Sequence, residues 1–287
     1  MMVVADVGVL TSWSRTIKSD NTRRAYIQGL NDLVAASCKG LDLVTRGDVL
    51  AWVEGMRSSG LSEGTIHVRL CGANSYFKAA GKGNPLEGKS IRRKVGRYAE
   101  SRFLSVEDAR RMLGCIRRDS VSGMRDYALV LGYLVLGRRN SEWRTARACD
   151  FEDGDGIHFR WSGKGHVGER IGIPAQVWNA LRAYVDASGG RGPYDFIFLS
   201  REGREMSSRR VGQIVTRYAQ IAGIGGRLRV HDLRHTAAML WRKAGADVEE
   251  LREFLGHSSL NTTQVYLHRM EGVSSKRSED VERLLGV

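Results

Sequence analysis

Apolar residues recur at three- and four-residue spacing along most of this chain, and that rhythm confines it to a stack of amphipathic helices. Tyr26, Leu30, Leu33 and Val34 share one helical face behind Ser19 and Asp20, which can cap its start. Val49, Trp52, Val53 and Met56 repeat the pattern after Thr45, and Ser59-Gly60 ends it. Ser62 opens a third stripe, Ile66, Leu70, Ala73 and Phe77, that runs to Gly81. The stripes predict a compact helical unit. With only 3 prolines in 287 residues, little interrupts such helices.

The stretch from Gly81 to Gly88, GKGNPLEG, breaks the rhythm with glycines and a proline. Beyond it Lys89, Arg92, Arg93, Lys94, Arg97 and Arg102 face a single acid, Glu100. Such a run is either a solvated tether or a segment that lies along a phosphate backbone. Ser105 and Asp108 then resemble a capping box ahead of Ala109, Met112, Leu113 and Ile116, and a more fully apolar helix covers Tyr127 to Leu136. Ile157, Phe159 and Trp161 alternate with His158 and Arg160, which predicts a strand. Ile171 and Ile173 mark its partner, and Phe196-Ile197-Phe198 a third strand. Helical spacing returns with Val211, Ile214, Val215 and Tyr218. The expected fold class is mainly α with a small β-sheet (α+β). A helical domain covers 1–81, a basic linker 82–103 and a helix-dominated α+β domain 104–287.

Lys and Arg number 45 against 32 Asp and Glu, a formal charge of +13. A surface of that sign attracts polyanions, although a merely basic, well-solvated surface gives the same composition. No basic amphipathic helix stands out to favour a membrane surface. The 4 cysteines, Cys38, Cys71, Cys115 and Cys149, are far apart and form no C-x-x-C pair, which argues against a disulfide scaffold or a zinc ribbon. No apolar run approaches the roughly 20 residues of a membrane helix, and the N-terminus lacks the pattern of a signal peptide. The expectation is a soluble, cytoplasmic protein without a membrane partner.

The string HDLRH, His231 to His235, is the most informative. His231 and His235 at i, i+4 could share a metal on one helix face. The zinc-protease form requires Glu directly after the first His, however, and Asp232 stands there. With no third ligand nearby, no metal is expected. The alternative of a core or capping histidine pair stays open for the string by itself. Its significance comes from the boxes around it, in order. GRRNSE carries Gly137, Arg139, Ser141 and Glu142; GKG carries Lys164 after the Ile157–Trp161 strand; LGHSS with His257 and NTTQVY ending at Tyr266 follow HDLRH.

In this order the boxes resemble the tyrosine recombinase family, the phage integrases, the bacterial Xer proteins and Cre. The resemblance extends to SDNTRRAYIQGL, which is similar to the opening of the family's core-binding helices. It implies a SAM-like helical core-binding domain plus a catalytic domain that together clamp duplex DNA, with the linker tracking the backbone. It also implies cleavage and rejoining of DNA through a 3′-phosphotyrosyl link, with no cofactor. The expected partner is a recombination site with inverted half-sites, bound by a homotetramer on two sites that exchanges strands through a Holliday junction. An accessory protein or partner recombinase is left open. The few residues ahead of the first helix fit the two-domain plan of Xer and Cre rather than an added arm-site domain. A last helix, Ser275 to Leu285, would dock on its own domain or on a neighbouring subunit.

Phosphodiester chemistry agrees with these residue types. Charge gathers on two non-bridging oxygens, and planar, permanently charged guanidiniums grip phosphate oxygens in a bidentate way. Arg139 and Arg234 are the natural pair. A tyrosine hydroxyl can split strand exchange into two transesterifications that conserve bond energy, which suits a chain lacking a Walker-type loop. By resemblance Tyr266 is the nucleophile, His231 accepts or relays its proton, His257 holds a non-bridging oxygen and Lys164 protonates the departing 5′ oxygen. Glu142 orients Arg139 or His231, or is a plain surface acid.

Two residues depart from the family pattern. Arg138 and Asn140 flank Arg139 where apolar residues are common. Spacing favours Arg139 as the phosphate ligand, with Arg138 toward a neighbouring phosphate or solvent. Two rival readings use the same residues, a type IB topoisomerase-like enzyme and a non-catalytic DNA-binding regulator.

Overall fold

The computed structural model describes residues 7–81, 83–87, 102–163 and 166–255. The chain divides into two compact units, Met1–Arg97 and Tyr98–Val287.

The first unit holds α1 (Val7–Thr16), α2 (Asp20–Ser37), α3 (Arg46–Ser58) and α4 (Glu63–Ala80). Each predicted cap forms: the Ser19 hydroxyl accepts from Thr22 N, Thr45 and Asp48 make a reciprocal capping box, and Ser62 accepts from Thr65 N. Leu30, Leu33, Val49, Trp52, Ile66 and Leu70 make up much of the common core. Helix α1 adds to the sequence reading. It is fastened by Trp13, whose ring stacks on Tyr26 and whose Nε1 donates to Ser75 Oγ at 3.0 Å.

In the second unit α5 (Val106–Gly114), α6 (Val121–Leu136) and α7 (Asn140–Arg144) precede the sheet. Strands β1 (Phe151–Gly154), β2 (Gly156–Gly163) and β3 (His166–Gly172) follow, then α8 (Ala175–Ala187), α9 (Ser208–Ile221), α10 (Val230–Lys243) and α11 (Val248–Leu255). The sheet is antiparallel with order β1-β2-β3. Helix α6 is buried on nearly every side and packs against α8 and α10, so the unit is built around it.

Two elements differ from the sequence reading. Helix α6 starts at Val121, ahead of Tyr127, capped by Ser120, whose hydroxyl accepts from Gly123 N; its first turns carry charges, Arg125 and Asp126, that are buried as a mutual ion pair at 2.8 Å. The apolar triplet Phe196-Ile197-Phe198 is not a strand of the sheet; that place belongs to Phe151–Gly154. The triplet makes a single bridge to Arg147, and Ile197 N donates to Ala146 O at 2.8 Å. Its burial reflects a pass through the core: Phe198 is fully enclosed and lies 5.4 Å from the ring of Trp143.

Trp143 is completely buried, donates to Leu129 O at 3.1 Å and packs edge-on against Phe159. Its indole lies directly against Gly132, where a Cβ would collide with it. Gly132→Ala should therefore destabilise the protein by about 1–3 kcal/mol, although helix propensity alone favours alanine by about 1 kcal/mol. Denaturant unfolding of the two proteins reads the sign directly.

Candidate active site

Helix α6 ends at Gly137, whose φ of 57° places it in the left-handed region. A Cβ there would sit 2.7 Å from the Phe254 ring, so glycine is required twice over. Beyond this elbow the two neighbouring arginines part. Arg138 is 1% exposed, donates from Nε to Leu136 O at 2.8 Å and lies with its guanidinium 4.1 Å from the centre of the Trp161 ring. It thus faces the core, which corrects the expectation of a phosphate or solvent contact.

Arg139 caps α7. Its backbone N donates to Glu142 Oε2 at 2.9 Å and its Nη1 to Glu142 Oε1 at 2.8 Å. The Glu142 side chain is 3% exposed and that of Arg139 34%, so a buried carboxylate anchors a guanidinium open to solvent. Asn140, the other departure, joins helices: it accepts from Tyr133 OH at 2.7 Å and donates to Ser208 Oγ at 2.8 Å. Burial raises the pKa of the Tyr133 phenol far above the usual value, which makes it a core hydroxyl rather than a nucleophile.

The first turn of α10 supplies the other half. Asp232, 1% exposed, accepts from Arg229 N at 2.8 Å and from Arg229 Nη2 at 3.0 Å, and so closes a capping box. The acid that disturbs the metal motif therefore builds the helix start. One turn on, Thr236 Oγ1 accepts from Leu104 N at 2.9 Å and pins the segment ahead of α5 to α10. Arg234, 2% exposed, donates from Nη1 to Gly137 O at 2.7 Å and from Nη2 to Leu255 O.

His231, on the solvent side of the same turn, is held below the ordinary imidazole range. Partial burial of the ring is the largest cause; the positive charges of Arg234, Arg229 and Arg139 act in the same direction and Asp232 opposes them. Arg234 bonds to Gly137 O, two residues before Arg139, so the two arginines lie in a single neighbourhood, where α6, α7 and α10 meet. The His235 ring lies edge-on, 4.5 Å from that of His231, and burial followed by His231 brings its pKa down to about 4.

Lys164 falls between β2 and β3 in sequence, and His257 and Tyr266 follow α11; all three lie outside the described residues. So do Lys89, Arg92, Arg93, Lys94, Arg97 and the predicted last helix. Arg102 is described: its Nη1 donates to Arg227 O at 3.2 Å and its Nη2 to Gly225 O, so it fastens the loop ahead of α10. Sequence reasoning overlooked Arg229, which acts on His231 and lines a groove of about 580 Å³ with Asn140, Arg209, Gln213, Arg217 and Arg227. The two arginines of RLRV, just ahead of His231, were its visible signal. Guanidiniums around a neutral imidazole suit a phosphate-like anion that exchanges a proton during reaction.

Comparison with known proteins gives a consistent picture. The model of the phage integrase family matches residues 102–272. The chain is 31% identical over 269 residues to tyrosine recombinase XerC of Corynebacterium efficiens, covering 91% of this chain and 83% of the relative. It is 28% identical over 275 residues to tyrosine recombinase XerA of Pyrococcus furiosus, covering 94% and 92%. In fold it is similar to XerH site-specific recombinase bound to palindromic difH substrate, with a TM-score of 0.72, 18% identity and coverage of 92% of this chain and 80% of that one. It is also similar to the Tn1549 transposon integrase in complex with transposon right end DNA, with a TM-score of 0.73, 20% identity and coverage of 96% and 99%.

The depressed histidines make stability depend on pH. A histidine with a folded pKa of about 4 and an unfolded value near 6.5 is neutral in the native state while the unfolded chain takes up protons, so stability rises with pH across that window. Unfolding free energy should fall as pH drops from about 6.5 towards about 4, and His235→Asn should flatten the slope. Denaturant titrations at several pH values measure both effects.

Proposed function

The chain belongs to the phage integrase family, and we propose that it is a site-specific recombinase that cuts and rejoins duplex DNA through a 3′-phosphotyrosyl intermediate. The observation that carries the residue assignment is the bond from Arg234 Nη1 to Gly137 O at 2.7 Å, which brings the Arg234 guanidinium to the turn that precedes Arg139. In this reading the Tyr266 oxygen attacks the scissile phosphorus and its proton passes to His231, which is neutral at physiological pH. The bond from phosphorus to the 5′ oxygen breaks, and Lys164 protonates that oxygen. Arg139, Arg234 and His257 hold the non-bridging oxygens as charge builds. A free 5′ hydroxyl from the partner duplex then attacks the phosphotyrosine and releases Tyr266, so the bond count is conserved and no nucleotide cofactor is consumed.

Glu142 serves here as a positioning residue. Its carboxylate takes both the backbone N–H and a guanidinium N–H of Arg139, and thereby sets the direction of the side chain. The helical first unit is the core-binding domain of this reading, joined to the catalytic domain by the basic linker that includes Lys89, Arg92, Arg93, Lys94, Arg97 and Arg102. A recombination site with inverted half-sites is the substrate, and a tetramer on two such sites performs the exchange.

The test is a nicked suicide duplex whose site is selected from a randomised pool by the wild-type protein. A covalent protein–DNA adduct should form; Tyr266→Phe should abolish it, and Arg234→Ala should slow it by about 10²–10³ or more, the usual cost of a lost preorganised donor. An adduct retained by Tyr266→Phe identifies a different nucleophile. Relaxation of supercoiled plasmid with no recombinant from paired sites would overturn the recombinase reading in favour of a topoisomerase.

Because His231 must be neutral to accept a proton, adduct formation at subsaturating DNA, which reports the free enzyme, should lose rate as pH falls through its depressed pKa and reach a plateau below the ordinary imidazole value. Single-turnover rates from about pH 4.5 to 8 check the position of that limb.

A further inference from the structure

We infer that Arg138 is a positioning residue for the reaction, a buried cation that sets the spacing of the backbone groups holding the arginine pair. This rests on the reading of Arg139 and Arg234 as the phosphate-binding pair.

The case begins with an oddity of charge and burial. Arg138 is 1% exposed, and desolvating a guanidinium is a poor device for stability alone, since apolar residues of similar size often serve as well or better. Its contacts instead join three separate elements. Nε donates to Leu136 O at the end of α6, and the guanidinium lies 4.1 Å from the ring centre of Trp161 on β2 and 5.5 Å from that of Phe254 on α11. Phe254 in turn stacks on Trp241 of α10 at 3.8 Å, and Trp241 Nε1 donates to Val135 O at 3.0 Å, which closes the packing back onto α6.

The elements joined by Arg138 are those that hold the arginine pair. Arg234 donates to the carbonyls of Gly137 and Leu255, the residues next in the chain to Arg138 and to Phe254. Arg139 is the residue that follows. The αL turn at Gly137 leaves no slack, because its Cα approaches the Phe254 ring too closely to carry a Cβ. Arg138 thus fixes the distance between the elbow and the end of α11, and that distance fixes where the Arg234 guanidinium lies relative to Arg139. An apolar side chain would fill the space without the hydrogen bond to Leu136 O or the attraction for two ring faces. Small displacements of a preorganised charge are costly: a misplacement of about 1 Å can lower a rate on the order of 10²-fold.

The experiment compares Arg138→Met and Arg138→Lys with wild type in single-turnover cleavage at saturating protein. Two nicked duplexes are used, one with the ordinary scissile phosphodiester and one with an uncharged methylphosphonate at that linkage. The methylphosphonate has lost the charge that the arginine pair neutralises, so a variant with a misplaced pair should be handicapped on the first substrate and much less so on the second. Arg138→Met should cleave the phosphodiester about 10- to 100-fold more slowly at unchanged site affinity, and the methylphosphonate within about threefold of wild type. Arg138→Lys should show the same selectivity to a smaller extent.

Equal losses on the two linkages, no loss on either, a loss confined to affinity, or failure of both variants to fold would each overturn the positioning role. Arg139→Ala separates this inference from the reading beneath it. If the uncharged linkage does not relieve Arg139→Ala, the phosphate-binding pair itself is wrong. If it relieves Arg139→Ala and not Arg138→Met, only the role of Arg138 falls.

Discussion

The second unit depends on one buried guanidinium with two backbone partners. Arg234 donates to the carbonyl that closes α6 and to the carbonyl near the end of α11, residues far apart in the chain, and it does so from the second turn of α10. A helix C-terminus leaves its last carbonyls without intrahelical donors, and a cation placed against them satisfies both the hydrogen-bonding deficit and the negative end of the dipole. Glu142 is engaged by Arg139 and Asp232 by Arg229, while Arg138 and Arg234 bond to carbonyls. These partners hold the guanidiniums in fixed directions, the condition under which charge stabilisation requires little reorganisation during reaction.

The frame was largely legible from periodicity because its rule is simple: every fourth residue or so is apolar where a helix faces a core. The rule failed where charge was buried by pairing. Arg125 and Asp126 read as surface and hide the first turns of α6, yet Arg125 Nη1 reaches Leu199 O at 3.1 Å and Tyr218 OH donates to Asp126 at 3.3 Å, so the polar atoms are satisfied inside. It failed again at Phe196-Ile197-Phe198, because a short apolar run specifies burial without specifying a ladder partner. Which segment completes the sheet was settled by the tight connection at Asp155, which pairs Gly154 with Gly156 and turns β1 directly into β2.

At the site, residue types and their order were visible, but directions were not. Arg138 and Arg139 are chemically identical in a sequence; the left-handed turn at Gly137 and the buried acceptor on Glu142 determine that one points inward and the other outward. Asp232 shows the same limit. Its letter disturbs a metal motif, and its position as the third residue of α10 makes it a cap. A motif reports which groups are at hand, whereas turns and caps aim them.

The same electrostatics couple the anion to the base in the proposed reaction. Burial and the arginines depress the His231 pKa, which keeps the ring neutral but also makes it a weaker proton acceptor. A phosphodiester held between Arg139 and Arg234 brings negative charge into the same neighbourhood and offsets those cations, so the imidazole regains basicity only once the substrate is in place. Further charge develops on the phosphoryl oxygens as the tyrosine attacks, and the ring's affinity for the departing proton rises with it. His235 does not share this dependence to the same degree. After burial, the largest cause of its depression is His231 and not an arginine, so an anion between Arg139 and Arg234 offsets less of it and His235 adds no competing charge. The proton is therefore drawn to the ring on the solvent side of the helix, at the moment when the arginines are occupied.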